Sequence, residues 1–166
     1  MEIVAISSTK ITYDSNLERQ VTDVARLMGR YTHNLDQQNR LQIPAKMRTE
    51  LGDSFVLTYS TSGDRCLLAY SFEDWDASMD ALAEETPSRK TVLRQRQIYM
   101  YTDKIDLDGQ GRMTIPSFLK EKAGFENEVF MLGAGSHLEL WNPDEYKKML
   151  EENEEQFETQ LTYLKK

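Results

Sequence analysis

A repeated stretch is the feature that most limits what this chain can fold into. The stretch from His33 to Gly52 returns 72 positions later and ends at Gly124. Leu35, Asp36, Arg40, Ile43, Pro44 and Gly52 return unchanged as Leu107, Asp108, Arg112, Ile115, Pro116 and Gly124. Leu41, Met47 and Arg48 return as the similar Met113, Leu119 and Lys120. The chain therefore contains a duplicated unit, and the two copies are expected to fold alike.

Each copy carries the local signals of a strand, a tight turn, a second strand and a short helix. Apolar and polar residues alternate directly after the polar turn, as in Leu41-Gln42-Ile43, which is typical of a half-buried strand. Asn39 in the first copy, and Gly109 or Gly111 in the second, can adopt the positive φ that a tight strand reversal needs. A proline at the first helical position and a glycine just past the last one bound the short helix.

An Asp-x-x-x-Arg motif occupies the turn of both copies, as Asp36 with Arg40 and as Asp108 with Arg112. The structural interpretation is a turn cap with a surface ion pair, which stabilises a fold only slightly. The functional interpretation is a binding arginine that the aspartate orients. It is favoured because both copies keep the pair while the residues between them change, and because binding residues concentrate on turns.

The two copies and the segments that follow them resemble the two halves of MraZ proteins. In the first half the resemblance rests on Tyr31 to Pro44, Cys66-Leu67-Leu68, Tyr70 and Trp75. In the second half it rests on Asp108 to Pro116, Ala123-Gly124, Gly133 and Leu138-Glu139-Leu140-Trp141.

This resemblance implies an α+β fold: tandem AbrB-like swapped-hairpin β-barrel halves with short flanking helices, related as a pseudo-two-fold internal repeat. It also implies a bacterial DNA-binding transcriptional regulator of the division and cell-wall gene cluster that assembles as a ring-like oligomer. We therefore expect a cytoplasmic, nucleoid-associated repressor of that cluster, including its own gene, that binds repeated short operator elements.

The size of the repeat and the cysteine content indicate that neither copy is stable as a separate domain. Each repeat alone has about 45 residues, near the size at which a lone hydrophobic core fails. The single cysteine, Cys66, permits no internal disulfide, and no Cys/His cluster has zinc spacing. The copies must therefore share a core or borrow one from other subunits. Cys66 lies in an apolar run and is expected to be a small core residue.

The expected organisation has five parts. They are an N-terminal extension at 1–27, AbrB-like repeat 1 at 30–76, a helical linker at 77–101, AbrB-like repeat 2 at 102–145 and an acidic C-terminal helix at 146–166. The domain is expected to start at Met28, and the linker to become extended from Ile98 to Tyr101. The C-terminal helix is amphipathic and has too little of its own domain left to cover it.

The net charge of −8 counts against a nucleic-acid partner, because neutralisation of phosphates by basic residues dominates such binding. The basic residues are nevertheless concentrated locally. Residues 30–48 carry a net charge of +3, residues 88–97 carry +4 without an acid, and residues 103–122 are neutral. The first copy is therefore expected to contribute more affinity for DNA than the second. The sequence leaves open whether the basic segment 88–97 touches DNA.

The candidate DNA-contacting residues lie on the turns and on the elements beside them. They are Arg30, His33, Arg40, Lys46, Arg48, Lys104 and Arg112, with Asp36 and Asp108 orienting the arginines. Arginine suits guanine edges and phosphates alike, and a two-stranded β element fits the major groove. The expected partners are double-stranded DNA and further copies of the chain, in a homo-oligomer larger than a dimer. No membrane and no small-molecule substrate is expected.

Two other classes of function remain open. An enzyme or a small-molecule binder at the Asp/Arg motifs finds little support, because His33 and His137 stand in non-equivalent positions and neither a nucleophile elbow nor a phosphate loop is present. A structural protein that forms rings without binding DNA is the other alternative. No catalytic residue, metal ion or cofactor is expected.

Overall fold

The computed structural model describes residues 26–163, and within them the chain has a mixed α+β fold. The strands are β1 (Arg30–Asn34), β2 (Arg40–Gln42), β3 (Ser54–Tyr59), β4 (Cys66–Tyr70), β5 (Thr102–Asp106), β6 (Arg112–Thr114), β7 (Glu128–Gly133) and β8 (Leu138–Trp141). The helices are α1 (Ala45–Leu51), α2 (Phe72–Ala83), α3 (Arg89–Met100), α4 (Ser117–Ala123), α5 (Pro143–Glu152) and α6 (Glu154–Tyr163). Both copies therefore contain the predicted succession of strand, turn, strand and short helix.

The strands pair antiparallel and form two sheets. Six of them make one sheet in the order β1-β7-β8-β4-β3-β5, and β2 and β6 form a separate two-stranded ribbon. The edge strands β1 and β5 continue through the two turns into β2 and β6. The ribbon is thereby held against one face of the larger sheet.

The two copies exchange strands with each other. Strand β1 of the first copy pairs with β7 of the second, and β5 of the second copy pairs with β3 of the first. The ribbon joins one strand from each copy. Each strand beside a turn is therefore completed by the other copy and not by its own hairpin partner. This is the swapped arrangement of a tandem AbrB-like repeat, as the resemblance implied.

Both copies contribute to one hydrophobic core, as predicted. Its fully buried members include Leu41, Ile43, Met47, Phe55 and Leu57 from the first copy and Met113, Ile115, Leu119, Met131 and Leu140 from the second. The ribbon, α1 and α4 place their apolar side chains on the inner face of the six-stranded sheet. Burying a side chain of this kind stabilises a fold by about 1.5–3 kcal/mol. Because the strands are exchanged, neither copy could bury this surface alone.

Helices cover the outer face of the sheet. Trp75 of α2 and Ile98 of α3 pack on Val56, while Tyr146 of α5 lies on the ring of Phe130 with 4.5 Å between the ring centroids. The molecule therefore has three layers. The ribbon, α1 and α4 form the inner layer, the sheet is the middle layer, and α2, α3 and α5 form the outer layer.

The helices begin where the sequence predicts, with a shift of one residue at the two prolines. The Ser71 hydroxyl accepts a hydrogen bond of 3.1 Å from the backbone N–H of Asp74 at the start of α2, and Asn142 caps α5 in the same way. Pro44 and Pro116 stand just before α1 and α4 and not at the first helical position, with ψ of 139° and 136°. Their fixed φ ends the strand and sets the direction in which the helix starts.

Two expectations about helical segments are corrected by the structure. Helix α3 continues to Met100 and does not become extended at Ile98, because the helix buries Ile98 beside Trp75. The acidic C-terminal segment forms two helices, α5 and α6, separated at Asn153, where φ is −117°. No helix within residues 26–163 has both the length and the apolar character needed to cross a membrane.

Leu27, which was expected to lie in the N-terminal extension, is part of the folded domain. Leu27 is 4% exposed in the shared core, and its backbone makes two hydrogen bonds with Gly135, of 3.1 and 2.8 Å. A Cβ at Gly133 would lie 2.5 Å from the carbonyl carbon of Leu27, so the glycine admits this close approach. The predicted extension 1–27 therefore wrongly included Leu27. Its first 25 residues lie outside the described part of the chain.

Candidate nucleic-acid interface

Each motif aspartate holds both its turn and its arginine. Oδ1 of Asp36 accepts hydrogen bonds from the backbone N–H groups of Gln38 and Arg40, at 2.8 and 2.9 Å, and Oδ2 accepts one from Arg40 Nε at 2.6 Å. Asp108 makes the equivalent contacts in the second copy, with 2.8 Å between its Oδ2 and Arg112 Nε. The aspartate therefore caps the turn and also fixes the guanidinium through Nε.

These hydrogen bonds keep both carboxylates ionised. The pKa of Asp36 is lowered, chiefly by the hydrogen bond from the backbone N–H of Arg40 and further by the Arg40 guanidinium, against a raising effect of desolvation. The pKa of Asp108 is lowered in the same way by Arg112. At neutral pH each motif is therefore an ion pair, and the aspartate offsets part of the arginine's charge.

One residue of each turn adopts the left-handed backbone conformation. Asn39 has a φ of 58°, and Gly111, its equivalent in the second copy, has a φ of 74°. Each turn closes with a hydrogen bond between the N–H of this residue and the carbonyl oxygen of the motif aspartate, at 3.1 and 2.9 Å. The predicted positive φ is confirmed, and in the second copy it falls on Gly111 and not on Gly109.

The ribbon brings both motif arginines to one exposed face. Arg40 pairs with Thr114, and Gln42 pairs with Arg112. Directly opposed residues of two strands point to the same side, so these four side chains share the outward face, and the residues between them are fully buried. The two arginines are diagonal neighbours, whose Cα atoms are roughly 7–8 Å apart in such ladders. Their Nη groups make no hydrogen bond within residues 26–163.

A basic residue from each short helix reaches the turn of the other copy. Lys120 Nζ donates a hydrogen bond of 2.6 Å to Asn39 Oδ1. The guanidinium of Arg48, the equivalent residue, lies over Gly111: a Cβ there would be 2.2 Å from Nη1 and 2.9 Å from Nε. In the described part of the chain, Arg48 Nε is buried without a hydrogen-bond partner. The structure thus packs Arg48, a predicted DNA-contacting residue, against the second turn.

Of the other candidate residues, His33 lies closest to the ribbon. Its Nδ1 is 2.9 Å from the backbone oxygen of Gln42. Lys46 is exposed on the first turn of α1. The sequence analysis missed Gln42 and Thr114 on the outward face. Alternation along a strand could have found Gln42, because it stands two residues after Arg40.

Arg30 and Lys104 lie on the other face of the six-stranded sheet. Lys104 is paired with Val56, whose side chain belongs to the outer cluster, and its Nζ lies 5.9 Å from the ring centroid of Phe72 and 3.7 Å from Asp106 Oδ1. Arg30 is exposed and points to the same outer side of β1. The structure therefore does not bring these two residues together with the motif arginines.

The residues that could bind a metal ion or act as a nucleophile are the histidine, acidic and cysteine side chains of residues 26–163. No group of three or more histidine, cysteine, aspartate or glutamate side chains that could hold a metal ion occurs within residues 26–163. Cys66 is buried, as predicted, and burial raises the pKa of its thiol to about 12. This thiol is therefore protonated, and so poorly nucleophilic, near neutral pH.

The exchanged strands and the paired Asp-x-x-x-Arg turns define a tandem AbrB-like protein whose two copies build one arginine-bearing ribbon. The family model described as "MraZ protein, putative antitoxin-like" matches residues 27–95 and again 98–166, once for each copy. The chain belongs to the MraZ family, as its motifs indicated.

Relatives with this family name match most of the chain. The transcriptional regulator MraZ of Ligilactobacillus salivarius is 34% identical over 133 residues, which cover 79% of this chain and 91% of the relative. The transcriptional regulator MraZ of Halothermothrix orenii is 35% identical over 134 residues, covering 79% and 91%. The protein of that name from Limosilactobacillus fermentum is 36% identical over 121 residues, covering 72% and 82%.

Proposed function

We propose that this protein is a sequence-specific DNA-binding transcriptional regulator. It acts as a repressor of the division and cell-wall gene cluster, including its own gene, and works in the cytoplasm on the nucleoid. It binds repeated short operator elements as a ring-like homo-oligomer larger than a dimer. The names of the matching relatives support the regulatory role. The target gene cluster and the ring-like assembly are what the resemblance to MraZ proteins implies.

The outward face of the ribbon is the observation that carries this proposal. A two-stranded ribbon fits the major groove, which is about 12 Å wide, and the planar fork of arginine matches the O6 and N7 acceptors of guanine. Arg40 and Arg112 stand side by side on that face, and each is fixed through Nε while its Nη groups make no hydrogen bond in the described part of the chain. Their aspartates orient the guanidinium groups and do not touch DNA, because a carboxylate repels phosphate.

Assembly into an oligomer explains how a chain with a net negative charge binds DNA. One ribbon offers few positive charges, and the motif aspartates offset part of them. Several ribbons on one rim would contact successive short elements, and each contact raises the effective concentration for the next. A single element is therefore expected to bind weakly, and an operator with several elements tightly.

The test is an anisotropy titration with DNA from upstream of the protein's own gene, at one fixed salt concentration. A good bidentate contact to guanine is worth about 1–3 kcal/mol, or roughly 5- to 150-fold in affinity. We expect Arg40→Ala to abolish specific binding and Arg112→Ala to weaken it less, because the first copy is locally more basic. Lys147→Ala, which removes an equal charge from the exposed surface of α5, is the matched control and should bind like the parent protein.

Three results would contradict parts of the proposal. Equal losses for the two arginine variants would refute the asymmetry between the copies. Retention of full affinity by both variants would refute the ribbon as the DNA-binding surface. A parent protein that shows no salt-dependent binding to DNA at all would instead favour a ring-forming structural protein.

A further inference from the structure

Helix α3 leaves an apolar and basic face uncovered. Its exposed apolar side chains are Val92, Leu93, Tyr99 and Met100, the last of them 68% exposed. They recur seven residues apart, which is two helical turns, so they form one stripe along the helix. The same helix carries Arg89, Lys90, Arg94 and Arg96 and no acidic residue. Its one buried residue is Ile98, so most of its surface faces solvent.

The C-terminal helices present a surface of the opposite charge. Leu150 of α5 and Phe157 of α6 are 39% and 55% exposed, and every residue from Glu151 to Thr159 is exposed. Residues 143–163 contain seven acidic and two basic residues, a net charge of −5. Helix α6 has ten residues, and an isolated helix of that length is only marginally stable in water. It therefore needs a neighbour to pack against.

The two surfaces lie toward opposite ends of the same layer. Helix α3 packs on β3 and β5, at one edge of the six-stranded sheet, whereas α5 packs on β7 near the other edge. Strands β3 and β7 are three strand spacings apart, or roughly 14 Å. Complementary surfaces at opposite ends of a molecule meet most readily between copies, in a head-to-tail contact.

We infer that α3 of one copy docks on α5 and α6 of the next copy. Leu93 and Met100 cover the apolar side chains Leu150 and Phe157, while the basic residues of α3 face the acidic residues of the C-terminal helices. This inference rests on the self-association within the proposed function and assigns it to particular surfaces. The contact is heterologous, so each added copy offers a new α3, and the assembly closes when the rotation between copies permits.

A second copy fits α3 better than DNA does. Phosphates would neutralise the arginines but would leave the apolar stripe of Leu93 and Met100 in water. Helix α3 also lies on the outer face of the sheet, and the ribbon with Arg40 and Arg112 lies on the inner side. For the acidic C-terminal helices, α3 supplies a cationic partner with matching apolar side chains.

Two charge-reversed full-length variants test the contact. The α3 variant carries Arg89→Glu and Arg96→Glu, sparing Arg94 because it pairs with Glu85. The C-terminal variant carries Glu151→Lys and Glu154→Lys. In each variant alone the substituted side chains face residues of their own charge, so light scattering should give the mass of a single chain.

An equimolar mixture should restore assembly. The glutamates introduced on α3 of one variant then meet the lysines introduced on the C-terminal helices of the other, and the opposite contact keeps its original charges. The control, Lys46→Glu with Glu50→Lys on α1, changes charges on the inner side of the sheet and should assemble like the parent protein. Far-UV circular dichroism checks that each variant retains its helices, because an acid in the first turn stabilises α6.

The outcomes separate this inference from the proposed function. A parent protein with the mass of one chain would refute the proposed oligomer itself. A parent protein that assembles, together with variants that also assemble alone, would refute only the α3 contact. Variants that remain single chains after mixing would show that these surfaces do not meet each other. An α3 variant of normal assembled mass that no longer binds a single operator element would assign α3 to DNA.

Discussion

The contact between Arg48 and Gly111 permits a sharp test of how the two copies support each other's turns. Asn39 and Gly111 occupy equivalent left-handed positions, but only Asn39 has a side chain, and Lys120 binds it from the other copy. At Gly111 the guanidinium of Arg48 fills the space that a side chain would occupy. The helix residue of each copy therefore fits the turn residue of the other copy. Lys120 binds Asn39, and Arg48 packs on Gly111.

Gly111→Asn should destabilise the fold by about 1–3 kcal/mol, the range for overpacking a well-packed site. The backbone conformation itself is not the cause, because asparagine adopts the same conformation at position 39. The cause is the Cβ of the new side chain, which would lie 2.2 Å from Arg48 Nη1 and force the guanidinium out of its site. Adding Arg48→Lys should recover at least half of the loss. It removes the obstructing group and recreates the asparagine–lysine hydrogen bond, worth about 0.5–1.5 kcal/mol.

The measurement is a double-mutant cycle by urea unfolding, with all proteins at one concentration because assembly contributes to apparent stability. A favourable coupling energy of at least about 1 kcal/mol between the two substitutions is the expected result, within the range of roughly 0.5–3 kcal/mol for residues in contact. Gly109→Asn is the matched control. It makes the same chemical change two residues earlier, where a Cβ would have no neighbour within 4 Å.

Additive effects of the two substitutions would refute the proposed match between helix and turn. A loss of stability from Gly109→Asn equal to that from Gly111→Asn would show that the turn tolerates no side chain for reasons unrelated to Arg48. In either case Arg48 would return to being a candidate for direct contact with DNA.

Two further predictions follow from the turns and the N-terminal boundary. Because the folded-state pKa values of Asp36 and Asp108 lie below the ordinary value of about 3.9, their stabilising effect should be complete above that pH and lost as the pH falls through the lowered values. Carboxyl carbon shifts in an NMR titration should show this, and ordinary pKa values in the folded protein would contradict it. Leu27→Ala should destabilise the domain by about 2 kcal/mol, at the lower end for a buried leucine, because Leu27 is buried at the edge of the core. Thermal unfolding measures this loss, with Met28→Ala, at a 60% exposed side chain, as the control that should change little.

Much of the fold could be predicted from local sequence. The repeat, the order of strand, turn, strand and short helix, and the caps at Ser71 and Asn142 all follow from backbone preferences within a few residues. The burial of Cys66 and the positive φ of Asn39 were predictable for the same reason. The small size of each copy predicted that it must share a core with the other copy or with another subunit. These features depend on neighbours in the chain, and the sequence shows those neighbours directly.

The composition of the candidate site was only partly predictable. Both motif arginines and their aspartates were found from the repeat. Arg30 and Lys104 were grouped with them because they are close in sequence, but strand alternation places them on the outer face. Arg48 was assigned to DNA because it is basic, and its contact with Gly111 was not foreseen. Gly111 lies in the other copy, so no local pattern reveals that contact.

The sequence alone determined that two similar units exist and which elements each contains, while the tertiary structure decided which strand pairs with which. Strand β1 could have paired within its own copy, because the local signals for a hairpin were present. It pairs instead with β7, and β5 pairs with β3, because this exchange buries the apolar faces of both copies in one core. The exchange also places Arg40 beside Arg112 on the ribbon. Pairing between segments far apart in the chain depends on the total surface buried, and local sequence does not encode that total.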